Sequence, residues 1–158
     1  MSVQTVRDYL AVFGYAERIA EFSESTATVE LAAAVVGVIP ARIAKTLSFK
    51  ISDKPILIVA AGDAKIDNRK YKDKFGAKAK MLTSEEAIEL VGHPVGGVCP
   101  FAVKEGVTVY LDESLKRFET VFPAAGSAGS AVRLTCDELY ESSRAVEWVD
   151  VCKIPEEN

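Results

Sequence analysis

Two apolar segments near the middle of the chain limit the folds that this sequence can adopt. Leu47, Phe49 and Ile51 alternate with serine and lysine, and this period of two predicts a half-buried strand. The following run, Pro55 to Ala61, is apolar without interruption, which predicts a central strand that is covered on both faces. Because such a strand needs other elements packed on each side, the two segments favour a domain that mixes strands and helices.

Capping signals and apolar periodicity predict helices between further strands. Thr83 with Glu86, and Thr135 with Glu138, match the pattern in which two side chains satisfy the first free amides of a helix. Helices are expected over residues 3–13, 29–36, 40–44, 67–75, 85–91 and 135–142, and strands near residues 18–22, 79–82, 107–111, 121–122, 131–134 and 146–151. Because these elements follow no strict strand–helix–strand rhythm, the expected fold class is α/β with a mixed sheet.

Length and composition are those of one globular domain. The chain has 158 residues, of which 49% are apolar and 27% charged, and no long linker divides it. We therefore expect a single domain over residues 1–158 with a core over about residues 15–152. No apolar run approaches the roughly 18 residues of a spanning helix, and the N-terminus has no apolar signal core, so the expected location is the cytoplasm, without a membrane partner.

Cysteines and carboxylates give no metal or disulfide signature. The chain has three widely spaced cysteines, which are Cys99, Cys136 and Cys152. No Cys-x-x-Cys pair occurs, so neither a disulfide framework nor a zinc site is expected. Asp63, Asp67 and Asp112 are an alternative metal-ligand set, but nothing in their spacing requires one. The sequence therefore predicts no metal and no cofactor.

Charge is distributed unevenly along the chain. The formal net charge is −4, whereas the segment from Lys65 to Lys80 holds seven basic residues and two acidic ones. One interpretation is a solvated helix face. The other is a landing site for phosphates, in which Lys70, Lys72 and Lys74 contact a nucleic-acid backbone.

Two places in the sequence are suited to hold a substrate. The first is a loop that reads Val95, Gly96, Gly97, Val98, Cys99, Pro100 and Phe101. Its two glycines allow positive φ angles and close approach of a ligand, so that consecutive amides can converge on a carbonyl oxygen or a phosphate; the alternative is a tight turn between a helix and a strand. The second place is Lys45, which either extends to water or supplies a fixed cation to a cleft.

Read together, these two places resemble a known family. Residues 40–50 include Lys45, and residues 95–101 contain the pattern Gly-x-x-x-Pro from Gly96 to Pro100. Both segments are similar to those of the YbaK/prolyl-tRNA synthetase-associated domain family, whose members are editing deacylases that remove wrong amino acids from tRNA. The order of elements fits from Thr28 to Leu139, so the resemblance implies a YbaK-type domain with a mixed, partly barrel-like sheet flanked by helices.

The resemblance also implies roles for the residues. Lys45 would fix the terminal phosphate or the ribose of an aminoacyl-tRNA, and the amides of Gly96 and Gly97 would hold the ester carbonyl oxygen as it becomes negative. The other residues of the loop would complete the substrate-binding site: Val98, Cys99, Pro100 and Phe101. The resemblance implies no side-chain base, because a ribose hydroxyl of the substrate or a positioned water would take that role. The implied substrate is an aminoacyl-tRNA, such as proline tRNA mischarged with alanine or cysteine. An aminoacyl-tRNA synthetase is a further partner that the resemblance allows.

Two alternatives from other functional classes remain open at this point. One is a non-catalytic module of the same fold that binds tRNA or a synthetase. The other is a hydrolase that uses the Cys99 thiol with His93 as its base, which requires the two side chains to be in hydrogen-bond contact and a third group to orient the histidine.

Overall fold

The computed structural model describes residues 3–94 and 97–155, and within them the chain forms five α-helices and ten strands. The helices are α1 (Val3–Ala11), α2 (Val29–Val36), α3 (Asn68–Phe75), α4 (Ser84–Glu86) and α5 (Cys136–Ser143). The strands are β1 (Ile19–Glu21), β2 (Ile43–Ile51), β3 (Lys54–Ala61), β4 (Lys65–Ile66), β5 (Thr108–Asp112), β6 (Thr120–Pro123), β7 (Ser130–Val132), β8 (Leu134–Thr135), β9 (Glu147–Val149) and β10 (Cys152–Lys153). The expected mixed α/β class is confirmed.

A six-stranded sheet organises the domain, in the order β8-β6-β2-β3-β5-β9. The hairpin of β2 and β3 is antiparallel, as is the pair β6 and β8. The pairs of β2 with β6, of β3 with β5 and of β5 with β9 are parallel. The sheet therefore combines both strand directions and curls into a half-barrel. Two further sheets have two strands each, β1 with β7 and β4 with β10.

The core forms around β3, where the sequence predicted a central strand. Its residues Leu57 to Ala61 are fully buried, because the sheet continues on both sides and other elements cover both faces. From the N-terminus, α1 contributes Val6 and Leu10, which are also fully buried in the same cluster. None of the described helices is long and apolar enough to cross a membrane.

Local signals predicted the helix ends well. Thr28 caps α2 by accepting from the Leu31 amide, and Gly37 ends the helix in the left-handed conformation. Both predicted capping boxes, at Thr83 and at Thr135, are present with both of their hydrogen bonds.

Strand limits differed from the sequence prediction where pairing depends on distant residues. The alternating pattern predicted a strand from Leu47, but β2 begins at Ile43, because Ala44 pairs with Ala61 on β3 and with Pro123 on β6. The strand predicted near residues 79–82 is only a single bridge, between Phe49 and Met81. The helix predicted over residues 85–91 is α4 followed by a π-helical turn over residues 87–91.

Candidate functional site

A pocket of about 450 Å³ opens at the edge of β2, between the N-terminal end of α2 and the segment that precedes α4. The segment Ile43 to Ser48 forms one wall of the pocket. The remaining described lining residues are Thr26, Ala27, Thr28, Val29, Ala32, Met81, Leu82, Thr83, Ser84, Val98, Phe122, Ala124, Ser130 and Ala131. Both sequence-predicted places thus reach this pocket, through Lys45 and through Val98, although they lie far apart in the chain.

Lys45 is a partly buried cation in the pocket wall. It lies on β2 opposite Ala60, and its Nζ donates to the carbonyl oxygen of Gly62 at 3.4 Å and to that of Ala64. Burial lowers the pKa of Lys45 from its ordinary value, because desolvation disfavours the charged form, and nearby Cys152 and Asp63 partly oppose this. Carbonyl oxygens therefore hold the ammonium group in place, as a positioned cation at the pocket requires.

Gly97 packs against a second loop rather than against open space. An ideal Cβ on Gly97 would lie 3.1–3.3 Å from main-chain atoms of Ser127, so the lack of a side chain allows two loops to touch. Its φ angle is outside the left-handed region, so Gly97 does not use the positive φ that a glycine allows. The reason for glycine at this position is thus a close approach of main chains.

The Gly97 amide already has a partner. Its N–H donates to the carbonyl oxygen of Pro94 at 3.0 Å, which closes a turn. The expected role of this amide in holding an ester oxygen therefore stays a prediction, and it would require that hydrogen bond to open or to be shared. Gly96, the other glycine of the motif, lies outside the described residues.

Three residues of the loop face the interior. Cys99, Pro100 and Phe101 are buried, and the Phe101 ring lies 6.4 Å from that of Tyr9, whereas Val98 lines the pocket. The expected contact of these buried residues with substrate stays a prediction; their burial suits them to anchoring the loop on the core.

Cys99 and His93 are in contact, as a cysteine hydrolase would require. The Cys99 Sγ lies 3.6 Å from Nε2 of His93, and both side chains are fully buried. However, Nε2 lies 2.7 Å from the carbonyl oxygen of Phe101, and a carbonyl can only accept, so this nitrogen carries the proton and cannot take one from the thiol. Burial also raises the pKa of Cys99 to about 12, which disfavours the thiolate. The contact is therefore unsuited to nucleophilic catalysis.

The predicted phosphate-binding lysines lie on α3, and two of them have acidic partners. Lys70 Nζ lies 3.0 Å from Asp150, and Lys74 Nζ lies 2.5 Å from Glu147. Glu147 is the first residue of the edge strand β9, and Asp150 directly follows that strand. Lys72 is exposed and has no ion pair among the described residues. None of the three lines the pocket beside β2, so a role in binding tRNA would be at a separate surface.

The carboxylates of the alternative metal set have structural partners. Asp63 binds Arg117, Asp67 caps α3, and Asp112 accepts from the amides of Ser114 and Val151. Each of the three carboxylates therefore binds a different partner, and these contacts do not bring them together as one set of metal ligands.

Sequence reasoning missed the hydroxyl groups around the pocket. Thr26 donates to the Ser130 carbonyl oxygen at 3.4 Å, and Ser130 Oγ accepts from the amides of Ala125 and Ser127. The Oγ1 of Thr46 is buried and has no hydrogen-bond partner among residues 3–94 and 97–155. Among these residues, only Thr46 could have been found from the sequence, because it is next to Lys45. The hydroxyl groups of Thr26 and Ser130 reach the pocket from distant segments.

Comparison with known proteins identifies the family. The model of the aminoacyl-tRNA editing domain matches residues 23–141, which include β2, its pocket and the loop with Val98. The chain therefore belongs to the aminoacyl-tRNA editing domain family, as its resemblance to the YbaK type implied.

The relatives of this chain include a protein of nearly the same length and a much longer tRNA ligase. An uncharacterised Bacillus subtilis (strain 168) protein, YwhH, is 53% identical over 154 residues, which are 97% of this chain and 98% of that protein. The proline–tRNA ligase of Geobacillus sp. (strain WCH70) is 32% identical over 90 residues, which are 56% of this chain but only 16% of the ligase. A crystal structure of a candidate trans-editing enzyme for prolyl-tRNA synthetase has a TM-score of 0.86 and 29% identity, and the match covers 96% of each chain.

Proposed function

We propose that this protein is a freestanding trans-editing deacylase, which hydrolyses the ester between a wrongly attached small amino acid and the terminal adenosine of tRNA. The observation that carries the proposal is that Lys45 and Val98 line one pocket in a chain of the aminoacyl-tRNA editing family. The domain-length match to the candidate trans-editing enzyme supports action as a separate protein.

The proposed chemistry is ester hydrolysis without a nucleophilic side chain. A water oxygen adds to the ester carbonyl carbon, the bond to the ribose oxygen breaks, and that oxygen takes up a proton. The proton of the water passes first to a ribose hydroxyl or to a second water. Lys45 supplies a fixed positive charge for the terminal phosphate of the tRNA, and its placement of the ester lowers the barrier by removing the cost of orienting the reactants.

The proposed substrate is proline tRNA that carries alanine or cysteine. The similarity to part of a proline–tRNA ligase and to the candidate trans-editing enzyme for prolyl-tRNA synthetase supports this choice of tRNA. A synthetase that holds the tRNA while this protein acts on its acceptor end would be the natural partner.

A panel of charged tRNAs tests the proposal. Proline tRNA is charged with alanine, cysteine, serine or proline, and alanine tRNA is charged with alanine as a matched control for tRNA identity. Single-turnover hydrolysis is followed at excess protein, and each rate is divided by the uncatalysed rate of that ester. We expect rapid hydrolysis of a mischarged proline tRNA and slow hydrolysis of prolyl-tRNA. Tight binding of the same tRNAs without hydrolysis would instead identify the non-catalytic module.

A further inference from the structure

The edge of β2 that forms the pocket wall is paired at both ends, whereas its middle has no partner among the residues that the structure describes. At one end Ile43 and Ala44 pair with β6. Toward the other end, the Lys50 amide donates to the Lys80 carbonyl oxygen at 2.9 Å, and the Leu82 amide donates to the Ser48 carbonyl oxygen at 3.1 Å. Strands rise ~3.3 Å per residue, so the gap between Ala44 and Ser48 is roughly 13 Å long. It is large enough to hold a short extended ligand.

Thr46 is the residue whose main-chain groups point into this gap. In an antiparallel pair, successive residues direct their N–H and C=O groups to opposite edges. The hydrogen bonds of Ser48 and Lys50 to residues 80–82 show that the main-chain N–H and C=O groups of these residues point away from β3. Thr46 is two residues before Ser48, so its main-chain groups point to the same edge. Residues 3–94 and 97–155 provide no partner for its N–H or its C=O on that edge.

Within the described part of the chain, Thr46 thus combines three polar groups without partners, because its buried Oγ1 is also unpaired there. Thr46 is partly buried and lines the pocket, so a ligand in the pocket can reach its main-chain N–H and C=O. Buried side-chain polar atoms usually have a hydrogen-bond partner, so the unpaired Oγ1 is an exception that calls for a ligand or another physical cause. The main chain of Thr46 therefore presents one donor, its N–H, and one acceptor, its C=O, with the spacing of a strand edge.

We propose that the aminoacyl group of the substrate binds in this gap as a single strand residue paired with Thr46. The Thr46 N–H donates to the ester carbonyl oxygen, and the α-ammonium of the amino acid donates to the Thr46 carbonyl oxygen. An amino-acid ester carries its donor nitrogen and acceptor oxygen on the same backbone atoms as a residue in a sheet, so it can form the two-bond pair of antiparallel strands. The proposal rests on the deacylase function.

This pairing assigns the oxyanion donor to an amide that is free. The Gly97 N–H is donated to Pro94, whereas the Thr46 N–H has no partner among the described residues. As water adds to the ester, the carbonyl oxygen becomes negative, and a preformed N–H donor stabilises that state more than the ground state. The neighbouring Lys45 then lies one residue from the reacting carbonyl, where it can position the ribose–phosphate end.

The first test removes the ammonium group from the substrate. Proline tRNA is acylated with alanine or with propionic acid, which lacks only the amino group, and single-turnover rates are divided by the uncatalysed rate of each ester. The pairing predicts that the acceleration falls at least about 100-fold for the propionyl ester, as for loss of one oriented charged contact. Equal acceleration of both esters would overturn the pairing while leaving the deacylase function intact. If neither ester nor any other aminoacyl ester is hydrolysed, the deacylase function itself fails.

The second test removes the Thr46 amide hydrogen. Thr46→Pro deletes a donor that takes no part in the sheet, so the fold should tolerate it as an edge position does. We expect the single-turnover rate to fall about 100-fold with tRNA affinity changed less than about 3-fold, the loss typical of one oxyanion donor. Thr46→Val, which removes only the hydroxyl, should cost much less rate. A folded Thr46→Pro protein with the wild-type rate, or an equal loss in Thr46→Val, would overturn the proposal. If Thr46→Pro does not fold, the propionyl comparison decides.

Discussion

Gly97 lies so close to Ser127 that a Cβ on Gly97 would come 3.1 Å from the Ser127 Cα. The loop that carries Val98 is therefore fixed against the loop of residues 125–130, which itself is held by the hydroxyl of Ser130. This contact sets the position of one pocket wall, although neither Gly97 nor Ser127 needs to touch the substrate.

Substitution of Gly97 should separate the two loops. Gly97→Ala is expected to lower the free energy of unfolding by about 1–3 kcal/mol, as for overpacking, and to lower the single-turnover rate because Val98 shifts. Gly106→Ala is the matched control: Gly106 has a φ of +94° and open space around its Cβ position, so it should lose stability without loss of rate. Thermal unfolding and single-turnover hydrolysis are measured on both variants. Equal effects of the two substitutions on rate would contradict a role of the contact in shaping the pocket.

Removal of the Lys45 cation should abolish most activity. Lys45→Ala is expected to lower the single-turnover rate at least about 100-fold, since a positioned contact to substrate is lost. Lys45→Arg should not restore the rate, because a planar guanidinium does not replace a compact ammonium between two carbonyl oxygens. Lys54→Ala, an exposed lysine at the start of β3, is the control for removal of a charge. Near wild-type turnover in Lys45→Ala would remove this residue from the site.

The pH profile gives a further test of Lys45. Burial lowers its pKa, so the charged form is present at low pH and is lost, as pH rises, earlier than for an exposed lysine. After subtraction of base-catalysed hydrolysis, the enzymatic rate should therefore decline on the alkaline side at a pH below the ordinary lysine value. Since the unfolded chain binds the proton more tightly in that window, this group makes stability rise with pH there. A profile identical to that of Lys45→Ala would show that the charge does not act.

The Cys99 thiol should be dispensable for hydrolysis. Cys99→Ala is expected to keep at least half of the rate and to cost about 1–2 kcal/mol of stability, because a fully buried side chain becomes smaller. A thiol reagent should label Cys99 slowly, since its pKa is raised to about 12 by burial. Loss of all activity in a folded variant, together with rapid labelling that substrate blocks, would restore the cysteine hydrolase.

Charge removal on α3 separates a tRNA surface from a solvated helix face. Lys72→Ala should flatten the log–log salt dependence of tRNA binding by about one unit if Lys72 contacts a phosphate. Lys70→Ala and Lys74→Ala should have smaller effects, because Asp150 and Glu147 already neutralise those charges. Amino-acid preference should not change, since phosphate contacts carry no such information. A triple variant with unchanged affinity and salt slope would identify a solvated face.

Elements whose signals are local could be predicted from the amino-acid sequence. The apolar run of β3 follows from burial on both faces, and the limits of α2 and α5 follow from Thr28, Gly37 and Thr135, because caps act within one helical turn. The sequence also indicated the two segments of the site, through their resemblance to the editing family.

The placement of those two segments depends on contacts between residues that are distant in the chain. At Thr46 the edge of β2 has no partner within the described ranges, because β2 pairs with β6 at one end and with residues 80–82 at the other. Such pairing depends on residues up to about 80 positions away. The same holds for the approach of Gly97 to Ser127, and for the partners that occupy the Gly97 amide and the Cys99 thiol. Side-chain periodicity reports which face of a strand is buried, but not which of its edges is left without a partner, and the pocket of this protein lies at such an edge.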